Sequence, residues 1–467
     1  MDALIDSFRH LLGARHVLDS PDELAPFCND WRKRYCGQAR CVVLPAGAEE
    51  AAAIVELCAH AGVAIVPQGG NTGLCGGATP CGGEVVISTR RMQRVRALDA
   101  VNNSMTVEAG CTLLAAQHAA AAADRLFPLS LAAEGSATIG GNLATNAGGV
   151  QVLRYGTMRD LTLGLEVVLP DGRIWHGLHA LRKNNTGYDL RHLFIGAEGT
   201  LGLITAATLK LFPRPRQTAT AWTAVAHPAA AVALLGFLRE RSGDRIDAFE
   251  IVDRVALDLV LKHLPNARDP LVHLGQSPAW HVLIELSSPR DDALQTLQDA
   301  LEAATSAGLI DDATLALSEA QAQALWGLRE NISEAERCEG VAVKHDISVP
   351  VSQIAEFIEH VEAAVRAAFP GVRSVCFGHI GDGNLHYSLS FADAAQNAEF
   401  IRQSDRVSQT VYDVVHRFDG SISAEHGLGQ LKREANTRYK SAVELDIMQA
   451  IKQALDPSGR MNPGKLL

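Results

Sequence analysis

Two histidines, His379 and His386, flank a Gly-Asp-Gly-Asn run in VCFGHIGDGNLHYSLS, residues 375–390. The apolar pieces 375–380 and 385–389 read as strands joined by a four-residue connection. In a hairpin of that register the two imidazoles stand opposite one another, with Cβ atoms roughly 5 Å apart, and can chelate one ion. A carboxylate of the right type occurs at Glu425, beside His426, in GSISAEHGLGQLK. Two histidines with one carboxylate are a catalytic Zn²⁺ ligand set that leaves a position open for substrate. An α-hydroxy carboxylate can chelate there through its hydroxyl and one carboxylate oxygen. Plainer readings stand beside this one. A hairpin histidine is usually a hydrogen-bonded surface or core residue. Gly-Asp-Gly-Asn is an ordinary turn, and it resembles a short Ca²⁺ loop although the full EF-hand pattern is missing.

Two glycine-rich stretches carry a second kind of chemistry. QGGNTGLCGG, residues 68–77, directly follows a strand-like segment, VAIVP. Residues 134–156 contain Gly135, Gly140, Gly141, Gly148, Gly149 and Gly156, with Asn142 and Asn146 among them. Glycine lets backbone approach a ligand closely, and successive N–H groups form nests for phosphate. Ile139, Leu143 and Val150 interrupt the second stretch, unlike a plain linker. A ligand-binding loop is the expected use, and a structural turn cluster is the alternative. The chain has neither GxGxxG nor GxxxxGK[ST], so these are not Rossmann or P-loop phosphate sites.

Several elements must position these groups. Residues 1–40 read as a helix or two and a link rich in Trp, Arg and Tyr. From Cys41 the pattern is α/β, with strands near 41–45, 63–67, 84–88, 105–108, 163–169 and 201–211, and helices at 48–61 and 115–123. Composition shifts after Pro213-Arg-Pro215. There a second α+β domain begins, with a strand at 282–286 and a helix at 293–304, and residues 397–467 are mainly helical. The expected fold class is α+β, with segments 1–40, 41–217, 218–425 and 426–467.

The chain has 467 residues, 47% apolar and 20% charged, which suits two or three folded domains. A net charge of -11 argues against nucleic acid or an anionic membrane as the main partner. Nine scattered cysteines, with no CxxC pair, favour a reducing compartment. The N-terminus lacks a secretory signal pattern, and the longest apolar stretch, 226–238, contains a proline and is too short to span a bilayer. A soluble, cytoplasmic protein is the expectation.

PQGGNTGLCGG, AEGSATIGGNLATNAGG, RYG, RKNNTGYDL, FIGAEGTLGLIT, GHIGDGNLH, ISAEHGLG and MNPGK occur in this order. The ordered set resembles the vanillyl-alcohol-oxidase-like, PCMH-type FAD flavoproteins. Within them it is most similar to the D-2-hydroxyglutarate dehydrogenases, with D-lactate dehydrogenases and glycolate oxidase subunits as neighbours. The resemblance covers most of the chain. It implies a two-part PCMH-type FAD-binding domain, a ferredoxin-like substrate domain and a helical C-terminal segment returning to the flavin. It implies non-covalent FAD cradled by Pro67, Gly69, Gly70, Asn71, Thr72, Gly73 and Leu74. It adds Gly135, Ser136, Thr138, Gly140, Gly141, Asn142, Asn146, Gly148, Gly149 and Tyr155 from the second stretch, and Glu198, Gly199, Ile204 and Asn462 from further on. His379, His386 and Glu425 map onto the metal ligands and His426 onto the catalytic base. Zn²⁺ is the preferred ion and Mn²⁺ the alternative.

The same resemblance marks Arg329, Ser333, Lys344 and Ser388 as substrate-binding positions. Ser333 stands where relatives commonly carry threonine. Tyr387-Ser388 departs further, since close relatives have leucine and then asparagine there. The implied reaction takes the C2 hydroxyl proton to His426 and hydride to flavin N5, giving a 2-oxo acid. Arg329 and Lys344 suit a dicarboxylate such as D-2-hydroxyglutarate, because an unpaired buried charge would penalise lactate. D-lactate or a broader set of D-2-hydroxy acids is the alternative substrate, and metal-assisted hydrolysis is the rival chemistry. Reoxidation calls for a separate acceptor, such as an electron-transfer flavoprotein or a quinone, and a homodimer is the expected assembly.

Overall fold

The computed structural model describes residues 2–275 and 278–467. Contacts divide the chain into two compact units. The first comprises Met1–Gly148, Gly156–Arg214 and Glu425–Leu467, and the second comprises Gly149–Tyr155 and Pro215–Ala424.

The first unit holds two main sheets. In one, strands Val17–Leu18, Ala39–Val43, Glu84–Ser88 and Ile65–Gln68 lie side by side in that order. The last three are parallel. Every residue of Glu84–Ser88 is buried, as a strand in a parallel sheet covered on both faces should be. Helix Ala48–Ala61 buries Ala51, Ile54, Val55 and Cys58, the spacing of one helix face. It ends where Gly62 takes φ 65, a left-handed cap that glycine adopts without strain. Its apolar face packs with Phe8, Ile65, Val85 and Ile87 in a common core. The other sheet is antiparallel throughout, in the order Val95–Asp99, Ser104–Glu108, Leu203–Lys210, Thr162–Val168, Ile174–Gly177.

The second glycine-rich stretch is more regular than a loop. Residues Ile139–Ala144 form a short helix, with Thr138 as N-cap accepting from the Gly141 amide. Two glycines fit inside it because of what lies alongside. A Cβ on Gly140 would stand 2.7 Å from the Cβ of Ala109.

The second unit is built on a seven-stranded antiparallel sheet. Its order is Ala313–Leu315, Gln217–Val225, Trp280–Ser288, Ile246–Asp253, Arg373–Gly378, Asn384–Ser390, Val343–Ser348. Trp222, Leu257, Leu283, Leu328, Ile332 and Phe377 share the core on one side. Trp222 is fully buried, and its Nε1 donates to His281 Nδ1 at 3.1 Å. Burial lowers the His281 imidazole to about 4, so it stays neutral there.

Trp222→Ala opens a large void and strips His281 of its donor. The expected cost is about 3–5 kcal/mol, read as a fall in the thermal or denaturant midpoint. The pH dependence has a separate signature. Burial raises the Glu285 carboxyl to about 7, with hydrogen bonds from Trp326 and Thr220 opposing it. A raised carboxyl means that the folded state binds a proton the unfolded chain has released. Stability from Glu285 is therefore full below its unfolded value near 4.5 and is lost as pH rises through about 7. Glu285→Gln should flatten the melting-temperature profile between about pH 4.5 and 7. An unchanged slope would assign the titration elsewhere.

Candidate FAD groove and histidine cluster

Within the first unit, the loop after strand Ile65–Gln68 and the helix Ile139–Ala144 line one groove, with about 940 Å³ of empty space including its open mouth. Pro67, Gly69, Gly70, Asn71, Thr72 and Gly73 form one side. Thr138, Gly140, Gly141, Asn142, Glu198, Gly199, Ile204 and His426 also line it. The loops meet at van der Waals distance because both carry glycine. A Cβ on Gly69 would lie 2.2 Å from Thr138 Oγ1, and one on Gly70 would lie 2.0 Å from the Ser136 carbonyl oxygen. Asn142 Nδ2 and Thr89 Oγ1, both from residues that line the groove, are buried without a hydrogen-bond partner among the described residues. Unsatisfied buried polar atoms beside a glycine-lined groove fit a polar, phosphate-bearing ligand.

The base of the groove is fixed by Glu198. Its carboxylate accepts from the amides of Leu428 and Gly429 at 2.7 and 2.8 Å, and so ties down the turn after His426. Burial pushes the Glu198 carboxyl up, and these two donors offset part of the rise. Asn462 donates from Nδ2 to the carbonyls of Gly77 and Glu198, so the C-terminal residues clamp the same loop. Glu425 Oε1 lies 3.7 Å from His426 Nε2. Leu74, Gly135, Ser136, Asn146 and Gly148 do not line the groove, although Ser136 supplies the carbonyl that abuts Gly70. Gln68, Cys75, Ala144, Thr145 and Gly202, inside the quoted motifs but not named as cofactor positions, also line it, as does Thr89, which lies outside every motif. Gly149 and Tyr155 lie in the second unit. There Arg154 anchors the segment to Asp247 and Ser287, and the Tyr155 phenol bonds Ser287.

In the second unit, strands Arg373–Gly378 and Asn384–Ser390 form the expected hairpin, but in a different register. His386 stands opposite Phe377, not opposite His379. Strand pairing stops at Gly378, whose φ is 155, and the Asn384 amide closes back onto the His379 carbonyl. The connection is thus longer than the Gly-Asp-Gly-Asn run. Phe377 and His379 differ by two positions and point to the same face, so the two imidazoles remain diagonal neighbours. Their ring centroids are 5.5 Å apart, at 80°.

The neighbouring strand extends this face. Lys344 pairs with Ser388 and Asp346 with His386. Asp346 is a residue the motifs missed. It is buried, its Oδ1 is 3.9 Å from His386 Nδ1, and it accepts from Asn384 Nδ2 at 3.0 Å. Only strand register shows this pair, since nothing in KHDIS marks Asp346 in sequence.

The centre of the cluster is Glu250, which is fully buried. His379 Nδ1 lies 2.7 Å from its Oε1, and Arg329 donates from Nε to Oε2 at 2.8 Å, with its terminal nitrogen also 2.8 Å away. Burial pushes the Glu250 carboxyl up, and the charges of His379 and Arg329 outweigh this and lower it. Lys344 Nζ donates to Glu336 Oε2 at 2.5 Å. Both cations expected to bind substrate are therefore already paired with carboxylates of the chain. Ser388 is buried on the His386 face, whereas Ser333 is exposed on helix Ile332–Glu339.

A four-stranded sheet feeding one glycine-rich loop, a five-stranded sheet with a strand that follows the second glycine-rich stretch, and a large antiparallel α+β unit together define a PCMH-type FAD flavoprotein. Residues 39–177 match the family described as FAD binding domain, and residues 214–466 match FAD linked oxidases, C-terminal domain. The chain belongs to this family of FAD-dependent oxidoreductases. It is 38% identical, over 100% of its length and 97% of the relative's, to the D-2-hydroxyglutarate dehydrogenase of Xanthomonas citri pv. viticola. It is 36% identical to the mitochondrial D-2-hydroxyglutarate dehydrogenase of Arabidopsis thaliana, over 99% of this chain and 81% of that one. The fold is also that of p-cresol methylhydroxylase, with a TM-score of 0.78 at 18% identity, covering 99% of this chain and 96% of that one. One expectation is corrected. The cytoplasmic assignment conflicts with the relatives, most of which are mitochondrial proteins. Cysteine usage reports a reducing environment, which more than one compartment provides. Among the described residues no helix is long and apolar enough to cross a membrane.

Gly70→Ala forces a methyl group against the Ser136 carbonyl. The purified variant should carry little flavin, seen as loss of absorbance at about 450 nm relative to protein. Full flavin content would show that the loops can part.

Proposed function

We propose that this flavoenzyme oxidises D-2-hydroxyglutarate to 2-oxoglutarate with the help of a divalent metal. The observation that carries the chemistry is that His426 lines the same groove as the two glycine-rich segments. This supports a proton acceptor beside the redox group's seat. The substrate is supported by the names of relatives that are 36–38% identical over nearly the whole chain.

FAD, when bound, supplies the hydride acceptor. The chain's own residues do the rest. His426 accepts the C2 hydroxyl proton at an imidazole nitrogen, the side-chain group most often used as a general base. His379, His386 and Glu425 would hold the ion, with zinc preferred from the nitrogen and oxygen donor set and Mn²⁺ as the alternative. The ion, when bound, acts as a Lewis acid on the hydroxyl. The contact from His379 Nδ1 to Glu250 supports this reading, since a carboxylate on one ring nitrogen orients an imidazole as a metal ligand. Arg329 donates two of its five N–H groups to Glu250, and we assign the others to a substrate carboxylate. Ser333, Lys344 and Ser388 complete the substrate side. Ser388, shorter than the asparagine of relatives, is the position where specificity would shift toward another D-2-hydroxy acid. A separate carrier, such as an electron-transfer flavoprotein or a quinone, would serve as the electron acceptor, and a homodimer is the proposed assembly.

The test is anaerobic mixing of the metal-loaded protein with D-2-hydroxyglutarate, its L enantiomer and D-lactate, following the flavin band at about 450 nm. Rapid bleaching by D-2-hydroxyglutarate alone is expected. A preference for D-lactate would reassign the substrate, and no bleaching by any of them would sink the reading. His426→Ala should retain FAD and slow bleaching by about 10²–10⁴-fold. Near-normal bleaching in that variant would remove His426 as the base.

A further inference from the structure

We infer that Glu250 is a positioning residue that holds the metal ligand His379 and the cation Arg329 in one fixed arrangement. The inference rests on the metal reading above and deepens it. Glu250 lies on strand Ile246–Asp253, whose partner strand pairs Ile251 with Gly378 and Val252 with Phe377. Continuing that register by one residue brings Glu250 opposite His379. Sheet pairing, not a flexible loop, therefore delivers the carboxylate to the imidazole.

Each oxygen of Glu250 has its own task. Oε1 takes the His379 Nδ1 contact at 2.7 Å, which fixes the ring's tautomer and orientation. Oε2 takes both Arg329 contacts at 2.8 Å. The Arg329 guanidinium also stacks 4.7 Å from the centroid of the Phe377 ring, and Phe377 packs against the His386 ring at 5.1 Å. One carboxylate thus joins a ligand histidine, a cation and, through Phe377, the second histidine. His379 and Arg329 are themselves nearly inaccessible, at 7% and 8% exposure. An imidazole whose far nitrogen bonds a carboxylate is a stronger and better-aimed metal ligand, and loss of such a partner typically weakens metal binding 10–100-fold.

The experiment measures zinc affinity in the FAD-loaded protein by competition with a chromophoric chelator. Removing Glu250 alone would leave Arg329 buried and unpaired and could unfold the unit. The test variants therefore remove both charges. Glu250→Leu with Arg329→Met replaces an ion pair by apolar groups of similar volume, a change that buried pairs often tolerate. Glu250→Gln with Arg329→Met keeps an acceptor oxygen for His379. Flavin content and a cooperative melt confirm that each is folded. The leucine pair should bind zinc 10–100-fold more weakly than the unaltered protein, and the glutamine pair should recover several-fold of that loss. Zinc affinity within twofold of the unaltered protein in both pairs would overturn the inference and leave the metal reading intact. Equal weakening in both would overturn it as well, since the acceptor oxygen would then be irrelevant. An unaltered protein that binds no zinc would fail the metal reading itself.

Discussion

Backbone pressed against backbone is the constraint on which the first unit's groove depends. Gly69 and Gly70 lie where any side chain would collide with Thr138 or the Ser136 carbonyl. The contact can form only if the strand Ile65–Gln68 and the capped helix Ile139–Ala144 are both held rigidly, and each is anchored in buried apolar structure. Glu198 and Asn462 then draw the turn at 427–429 and the C-terminal residues to the same place, through bonds to main-chain amides and carbonyls. A dinucleotide can be recognised this way without a Rossmann turn, because closely approaching N–H groups and not a particular fingerprint bind phosphate.

The second unit solves a different problem with the same economy. A buried histidine must be oriented, and an arginine among apolar groups must be neutralised. Glu250 does both, because a carboxylate has two oxygens and a buried one binds donors strongly. Lys344 and Glu336 repeat the pairing nearby. The two cations, one on helix Glu319–Glu330 and one on strand Val343–Ser348, are thereby held in place and not left as mobile arms.

Much was legible in the chain. The strands and the helix at 48–61 follow from apolar periodicity and glycine caps, which are local effects. The hairpin was legible too, but its register was not. A slip of two positions keeps side-chain parity, so pattern alone cannot distinguish the two pairings. Three-dimensional closure decides it, through Gly378 and the Asn384 amide. The helix inside the second glycine-rich stretch was hidden for a related reason. Glycine disfavours helix locally, and here the capping threonine and the close packing against Ala109 override that preference.

The sequence by itself determined which residue types were present in chemically useful neighbourhoods: two glycine-rich segments, a histidine pair and an acid–histidine dipeptide. These are short-range facts, and short-range physics reads them. Only tertiary structure decided which distant groups meet. Glu250 reaches His379 across 129 positions and Arg329 across 79, and Asp346 reaches its place opposite His386 through strand pairing. No local signal marks such residues, because a buried carboxylate in AFEIVD is defined by its partners, and the fold alone supplies them.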